Sequence, residues 1–166
     1  MEDTVDKQNK NVILEYIKVI VVTLLITYSI LFFIQISTVH GSSMEPTYSE
    51  GNIVIVEKFF YQKGNPSIND IIVVNAHVEN RHYIKRVVGV SGDFLEIKDG
   101  KLYRNGELVE EDYIKEPMLE SDMIITVPEG KIFVMGDNRN NSSDSRQLGY
   151  FDVKDDVIGK VILKFF

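Results

Sequence analysis

From Val19 to Val39 the chain carries no charged residue, and Ile, Val, Leu and Phe dominate. At a rise of about 1.5 Å per residue, a helix of this length covers the roughly 30 Å hydrocarbon core of a bilayer. A core-facing helix of a soluble domain would show a polar face, and this run has none. A cleavable signal peptide has a shorter apolar region followed by a small-x-small site. The run is therefore expected to be a transmembrane helix over residues 19–39, preceded by a polar segment over 1–18. Lys7, Lys10 and Lys18 precede it, and no Lys or Arg follows until Lys58. The positive-inside rule then puts the N-terminus in the cytoplasm and residues 40–166 on the outer face of the cell membrane.

Beyond Val39 the pattern changes to short strands. Ile53–Val56, Asp70–Val74, His82–Val90, Phe94–Ile97, Lys101–Tyr103, Lys131–Met135 and Val157–Phe166 are rich in β-branched and apolar residues. Phe59, Phe60 and Tyr61 are followed by a turn cluster at 63–66. Asp99-Gly100 and Asn105-Gly106 are two-residue hairpin signals. No amphipathic helical pattern follows the apolar run, so the fold class expected for 40–166 is mainly β, an all-β domain of antiparallel sheets. Residues 110–123 are acidic and irregular, and read as a surface excursion.

Composition removes several functions. A net charge of -7 without a basic patch argues against nucleic acid as a partner. With no Cys there is no disulfide, thiolate metal site or cysteine nucleophile. The three histidines, His40, His77 and His82, have no metal-ligand spacing. Neither a metal nor an organic cofactor is implied.

Three stretches carry chemistry. Gly41-Ser42-Ser43-Met44-Glu45-Pro46-Thr47 sits directly after the apolar run, with small residues that let a substrate backbone approach Ser43. Taken alone it also reads as a turn. Strand alternation over 82–89 places Lys85 on one face with Tyr83 and Val87, and His82, Ile84, Arg86 and Val88 on the other. A lysine there either snorkels to water or is desolvated with a lowered pKa. In the second case its neutral amine is a general base for a serine hydroxyl, a known variant of the serine hydrolase arrangement. The third stretch, Gly136-Asp137-Asn138-Arg139-Asn140-Asn141-Ser142-Ser143-Asp144-Ser145-Arg146, is a polar run after an apolar strand. It reads either as a surface loop or as a loop that wraps back to a buried site.

In this order, and after one anchor, the three stretches resemble bacterial type I signal peptidases of peptidase family S26. The matching residues are 41–47, Tyr83 to Gly89 with Gly92-Asp93, and 136–146, and the likeness runs to Gly159-Lys160. The single anchor and short 93–135 region are similar to the compact Gram-positive form. The resemblance implies Ser43 as nucleophile and Lys85 as general base. It implies Ser142 as a hydroxyl that orients the lysine, Asp144 with Arg146 as a supporting ion pair, and Gly136 as a close-packed backbone position. Val39 and Ile84 match positions lining shallow pockets for small substrate side chains. Asp137 matches a partner for Arg86. Two positions depart from the family: Ser91 stands where a Pro is frequent, and Gly41 where some members offer a serine to the oxyanion. Backbone N–H groups, including that of Ser43, are expected to serve instead.

The function so implied is removal of signal peptides from exported preproteins after small-x-small motifs, by a monomer seated in the lipid bilayer. Two other readings fit fewer residues. A self-cleaving repressor shares Ser-Lys chemistry but is soluble, against the 19–39 run. A catalytically silent, tethered β-domain that binds exported chains leaves the pairing of Ser43 and Lys85 without a purpose. A histidine base in place of the lysine is excluded by the position of His82 on the opposite strand face.

Overall fold

The computed structural model describes residues 2–59, 61, 66–77, 79–119 and 122–165, with side chains of the N-terminal helix from Val12 onward. Part of the turn cluster expected at 63–66, along with Phe60 and Phe166, lies outside the described residues. The chain divides into two compact units, residues 1–34 and 35–166.

The first unit is one helix, α1 (Glu2–Phe33). Its portion Val12–Phe33 has a mean hydropathy of 2.2, long and apolar enough to cross a membrane. Side chains from Val12 to Phe32 are all exposed. Ser29 donates to the Leu25 carbonyl at 2.8 Å, which satisfies its hydroxyl inside an apolar stretch. The helix starts and stops earlier than residues 19–39. Ile34–Thr38 forms a strand, β1, instead. There Ile34, Ile36 and Thr38 alternate with Gln35 and Ser37, a period-2 pattern of β-branched residues that favours extended backbone.

The second unit holds two sheets. The larger contains β1, β2 (Ile53–Glu57), β3 (Ile71–Ala76), β4 (Arg81–Val90), β9 (Lys131–Met135), β10 (Phe151–Asp152) and β11 (Val157–Phe165). Its order is β1-β2-β11-β3-β4-β9-β10, and from β2 onward the neighbours pair antiparallel. The smaller sheet joins β5 (Phe94–Lys98), β6 (Lys101–Arg104), β7 (Glu107–Leu108) and β8 (Met123–Thr126) in the antiparallel order β7-β6-β5-β8. Both expected hairpins form. Asp99-Gly100 and Asn105-Gly106 have positive φ at each residue and close pairs Lys98↔Lys101 and Arg104↔Glu107, as two-residue turns of this type require. After β9 come a single 3-10 turn, Arg139–Asn141, and a short helix, α2 (Ser145–Leu148), capped by the Asp144 side chain at the Arg146 N–H.

Apolar residues collect in three clusters. Leu95, Ile97, Leu102 and Ile125 of the small sheet pack with Val88, Phe133 and Met135 of the large one. Ile72, Val74, Val87, Val134 and Val157 form a second core within the large sheet. Val39, Met44, Tyr48, Val54, Val56, Val73 and Val161 form a third, and it is this one that seats the serine stretch. In the turn after β4, Ser91 accepts from the Gly130 N–H and donates to the Lys131 carbonyl. Its hydroxyl braces the position that departs from the family's Pro.

Candidate active site

Met44 anchors the serine. Its side chain is fully buried in the third cluster, a burial that contributes roughly 2 kcal/mol. The residue before it is thereby held at the surface of that cluster. The loop turns tightly, with Tyr48 N–H donating to the Met44 carbonyl at 2.8 Å and Glu45 N–H to the Ser42 carbonyl at 3.1 Å. The 136–146 run grips it from the side. Asn138 donates its backbone N–H to the Ser43 carbonyl at 3.0 Å and its side-chain amide to the Ser42 carbonyl at 3.0 Å. Asn141 Nδ2 donates to Ser42 Oγ at 2.9 Å. Among the described residues the Ser43 N–H has no protein acceptor, so it is available to a ligand oxygen.

Lys85 sits in the middle of β4, opposite Ile72 of β3, and is 1% exposed. Its Nζ lies 2.8 Å from Ser43 Oγ. As an ammonium it donates to the hydroxyl, and as a neutral amine it accepts the hydroxyl proton. Burial pushes its pKa from the ordinary lysine value down to about 8, against the attraction of the Asp144 carboxylate and with the help of Arg146. The Tyr83 ring centroid is 4.9 Å from Nζ, as expected for residues two apart on one strand face.

The polar run is bound to a buried carboxylate. Asp144 is fully buried. It accepts from Gly136 N–H at 2.9 Å, Ser142 Oγ at 2.7 Å, and Arg146 Nε and Nη2 at 2.8 Å each. Burial alone would raise its pKa, but the Arg146 pair and the other donors outweigh it and hold the carboxyl below its usual range. The Ser142 hydroxyl is thus turned to Asp144, the stronger acceptor, and makes no hydrogen bond to Lys85 among the described residues. A Cβ on Gly136 would overlap Ser142 Oγ and the Ser43 carbonyl. This is the physical reason for glycine there: the serine stretch and the polar run close directly over its Cα.

The register explains why the run lands here. Arg86 pairs with Met135 across β4 and β9, so the next residues, Gly136 and Asp137, leave the sheet beside Arg86. Arg86 holds Asp137 with Nε at 2.8 Å and Nη2 at 2.7 Å. Asp137 also accepts from Thr47 Oγ1, at the far end of the serine stretch. Asp137 has no exposed surface. Arg86→Ala leaves that charge unpaired, and a broken buried pair of this kind costs roughly 3–5 kcal/mol. Thermal unfolding should show a marked loss of stability together with lost activity. An Arg86→Ala protein as stable as the parent would mean the pair does not hold the run in place.

An open cleft of about 280 Å³ leads to Ser43. Val39 and Ile84 line it with Met44, Val73, His82 and Tyr83. In a larger recess, about 570 Å³, near Pro66, Ser91 and Lys154, the Ser91 hydroxyl bonds to backbone and, among the described residues, to no amine, so size is a poor guide to the site. Sequence reasoning missed Asn138, Asn141 and Thr47, whose residue types are ordinary turn formers. It also missed Glu111 and Tyr113, in the stretch read as a surface excursion. Thr47, Asn138 and Asn141 lie in the stretches that carry the resemblance, but their individual roles depend on partners far away in sequence, as does the pairing of Glu111 with Arg139.

A serine hydroxyl against a buried amine, at the end of an open cleft in an antiparallel β-domain, is the arrangement of a serine hydrolase. The family model for signal peptidase, peptidase S26, matches residues 13–166. This chain belongs to that family and is a serine peptidase. It is 38% identical to signal peptidase I P of Bacillus subtilis subsp. natto, over 97% of this chain and 93% of the relative. Signal peptidase I U of Bacillus subtilis (strain 168) is 36% identical, over 98% and 92%. A crystal structure of a signal peptidase I from Enterococcus faecalis superposes with a TM-score of 0.53 at 32% identity, covering 60% of this chain and 98% of that one.

Proposed function

We propose that this chain is a membrane-anchored endopeptidase that removes N-terminal signal peptides from exported preproteins, with Ser43 as nucleophile and Lys85 as general base. The observation that carries this reading is the 2.8 Å separation of Lys85 Nζ and Ser43 Oγ, with the amine buried and its pKa lowered to about 8. The Ser43 hydroxyl passes its proton to neutral Lys85 as Oγ bonds to the scissile carbonyl carbon. The Ser43 N–H stabilises the resulting oxyanion, a contribution of roughly 3–4 kcal/mol per donor. Collapse breaks the C–N bond, and the Lys85 ammonium returns the proton to the leaving amine. Water activated by Lys85 then releases the acyl group from Ser43.

Small-x-small selectivity follows from the cleft. Alternate side chains of an extended substrate point the same way, toward walls built by Val39 and Ile84. Helix α1 keeps the site near the bilayer where preproteins emerge, which supplies proximity. The charge pattern around it orients the β-domain outward.

Purified full-length protein in detergent or lipid, incubated with a preprotein, should release a mature chain whose new N-terminus follows a small-x-small motif. Sequencing that terminus is the test, and cleavage elsewhere or none sinks the reading. In spheroplasts, externally added protease should digest the β-domain. Protection until the membrane is permeabilised would reverse the orientation.

A further inference from the structure

The acidic stretch 110–119 runs over the surface, as its sequence suggests, but it is tied down at several side chains. The Glu111 carboxylate is 5% exposed and pairs with Arg139, which is 0% exposed. Both oxygens are used, at 2.9 Å to Nη1 and 2.6 Å to Nη2. Such a fork-to-fork pair fixes orientation as well as distance. The same guanidinium donates through Nε to the Gly136 carbonyl at 3.0 Å. Gly136 is the residue pressed between Ser142 and the Ser43 carbonyl.

The stretch also reaches the serine loop directly. Lys115 Nζ lies 2.9 Å from Glu45 Oε2, two residues after Ser43. The Lys115 N–H donates to the Asp137 carbonyl at 3.0 Å. Between these ties, Tyr113 lays its ring 3.9 Å from the Arg86 guanidinium carbon, over the ion pair that holds Asp137. Asn140 closes the far end by donating to the Pro117 carbonyl and accepting from the Leu119 N–H. Residues 111–119 thus lie across the 136–141 run and hold it and the serine loop at once.

We propose that this stretch is a strap, and that Glu111 is a positioning residue for the Ser43–Lys85 pair. It acts through Arg139 and Gly136, touching neither substrate nor reacting atoms. Its effect on rate rests on the function proposed above; its effect on loop order does not. Glu111 and Arg139 are too deeply buried for the pair to be a solvated surface contact of little consequence. Removing one partner leaves the other charged and unsatisfied beneath the catalytic run.

The test compares the full-length parent in detergent with Glu111→Gln, Glu111→Asp, Lys115→Ala and Ile97→Val. Ile97→Val trims the small-sheet core that also holds Met118, cuts none of the ties through Glu111, Arg139 or Lys115, and serves as a stability control. Amide hydrogen exchange of residues 42–48 and 136–142 should accelerate about tenfold or more in Glu111→Gln, as expected when a charge-assisted pair is lost. It should stay at parent level in Ile97→Val. Well below the unfolding midpoints, kcat for a preprotein peptide should fall about 10- to 100-fold in Glu111→Gln, with KM within about twofold, because misplacement affects the transition state more than binding. Glu111→Asp should recover most of that loss.

Unchanged exchange in the 42–48 loop, or a kcat loss matched by Ile97→Val, overturns the proposal. Should Glu111→Gln fail to fold, Lys115→Ala decides. It is an exposed change that cuts the Glu45 tie, and faster exchange at 43–47 is the supporting result, parent-like exchange the refuting one. If the parent itself does not cleave preprotein while exchange responds as stated, the proposed function fails and the strap stands.

Discussion

Lys85→Arg should fold and lose about 10³-fold or more in kcat/KM, since general-base catalysis typically supplies 10²–10⁴. A guanidinium stays charged at any pH the protein survives, so it cannot take the Ser43 proton. In the parent, the acid limb of the kcat/KM profile should report an apparent pKa near the value of about 8 that burial imposes on Lys85. Near-normal cleavage by Lys85→Arg, or an acid limb at the ordinary lysine pKa, would rule out a Ser-Lys mechanism. The same burial has a stability signature. The folded pKa is below the unfolded value of about 10.4, so between those values the unfolded chain binds more protons and stability rises with pH. Below about pH 8 both states carry the proton and the full penalty of burying it remains. Lys85→Met removes the group. Its stability advantage over the parent should therefore narrow by about 2 kcal/mol between pH 7 and 9.5. An advantage independent of pH would show that the amine is not desolvated.

Ser43→Ala should abolish measurable cleavage, a loss of at least about 10⁴-fold, because no other hydroxyl takes over a removed nucleophile. The fold should survive. One hydrogen bond to Lys85 is lost, worth about 1 kcal/mol, while Met44 keeps its seat in the apolar cluster. Ser42→Ala is the informative neighbour. Among the described residues Ser42 Oγ accepts only from Asn141, at the rim of the site, so its removal should leave activity within about tenfold of the parent. Peptide cleavage with both variants, paired with circular dichroism melts, checks this. An active Ser43→Ala with an inactive Ser42→Ala would shift the reacting position by one residue.

Much of this is legible in the sequence. Tyr83 and Lys85 were placed on one face by a period of two, which the sheet obeys. The hairpins at Asp99-Gly100 and Asn105-Gly106 follow from residues that tolerate positive φ. Helix α1 was legible as an apolar segment, but not its end. The absence of charge continues to Val39, whereas the switch from helix to strand at Ile34 depends on β-branched alternation and on a sheet edge to join. Strand β8 was missed because Met123–Thr126 is short and lies beside an acidic stretch. Its stability comes from pairing with β5, not from its own pattern.

What the sequence alone determined is therefore local or periodic: a spanning-length apolar run, a β-rich remainder, and the candidate residue types for acyl transfer in three separate stretches. Bringing Ser43 within 2.8 Å of Lys85, 42 residues apart, was decided by tertiary structure. The third apolar cluster seats Met44, and the β4–β9 register delivers Gly136 and Asp137 to Arg86. The strap was decided there too. Glu111 in sequence is one acid among several, and only the fold, by burying Arg139 opposite it, turns a solvated charge into a fixed one, because desolvation makes that partner obligatory.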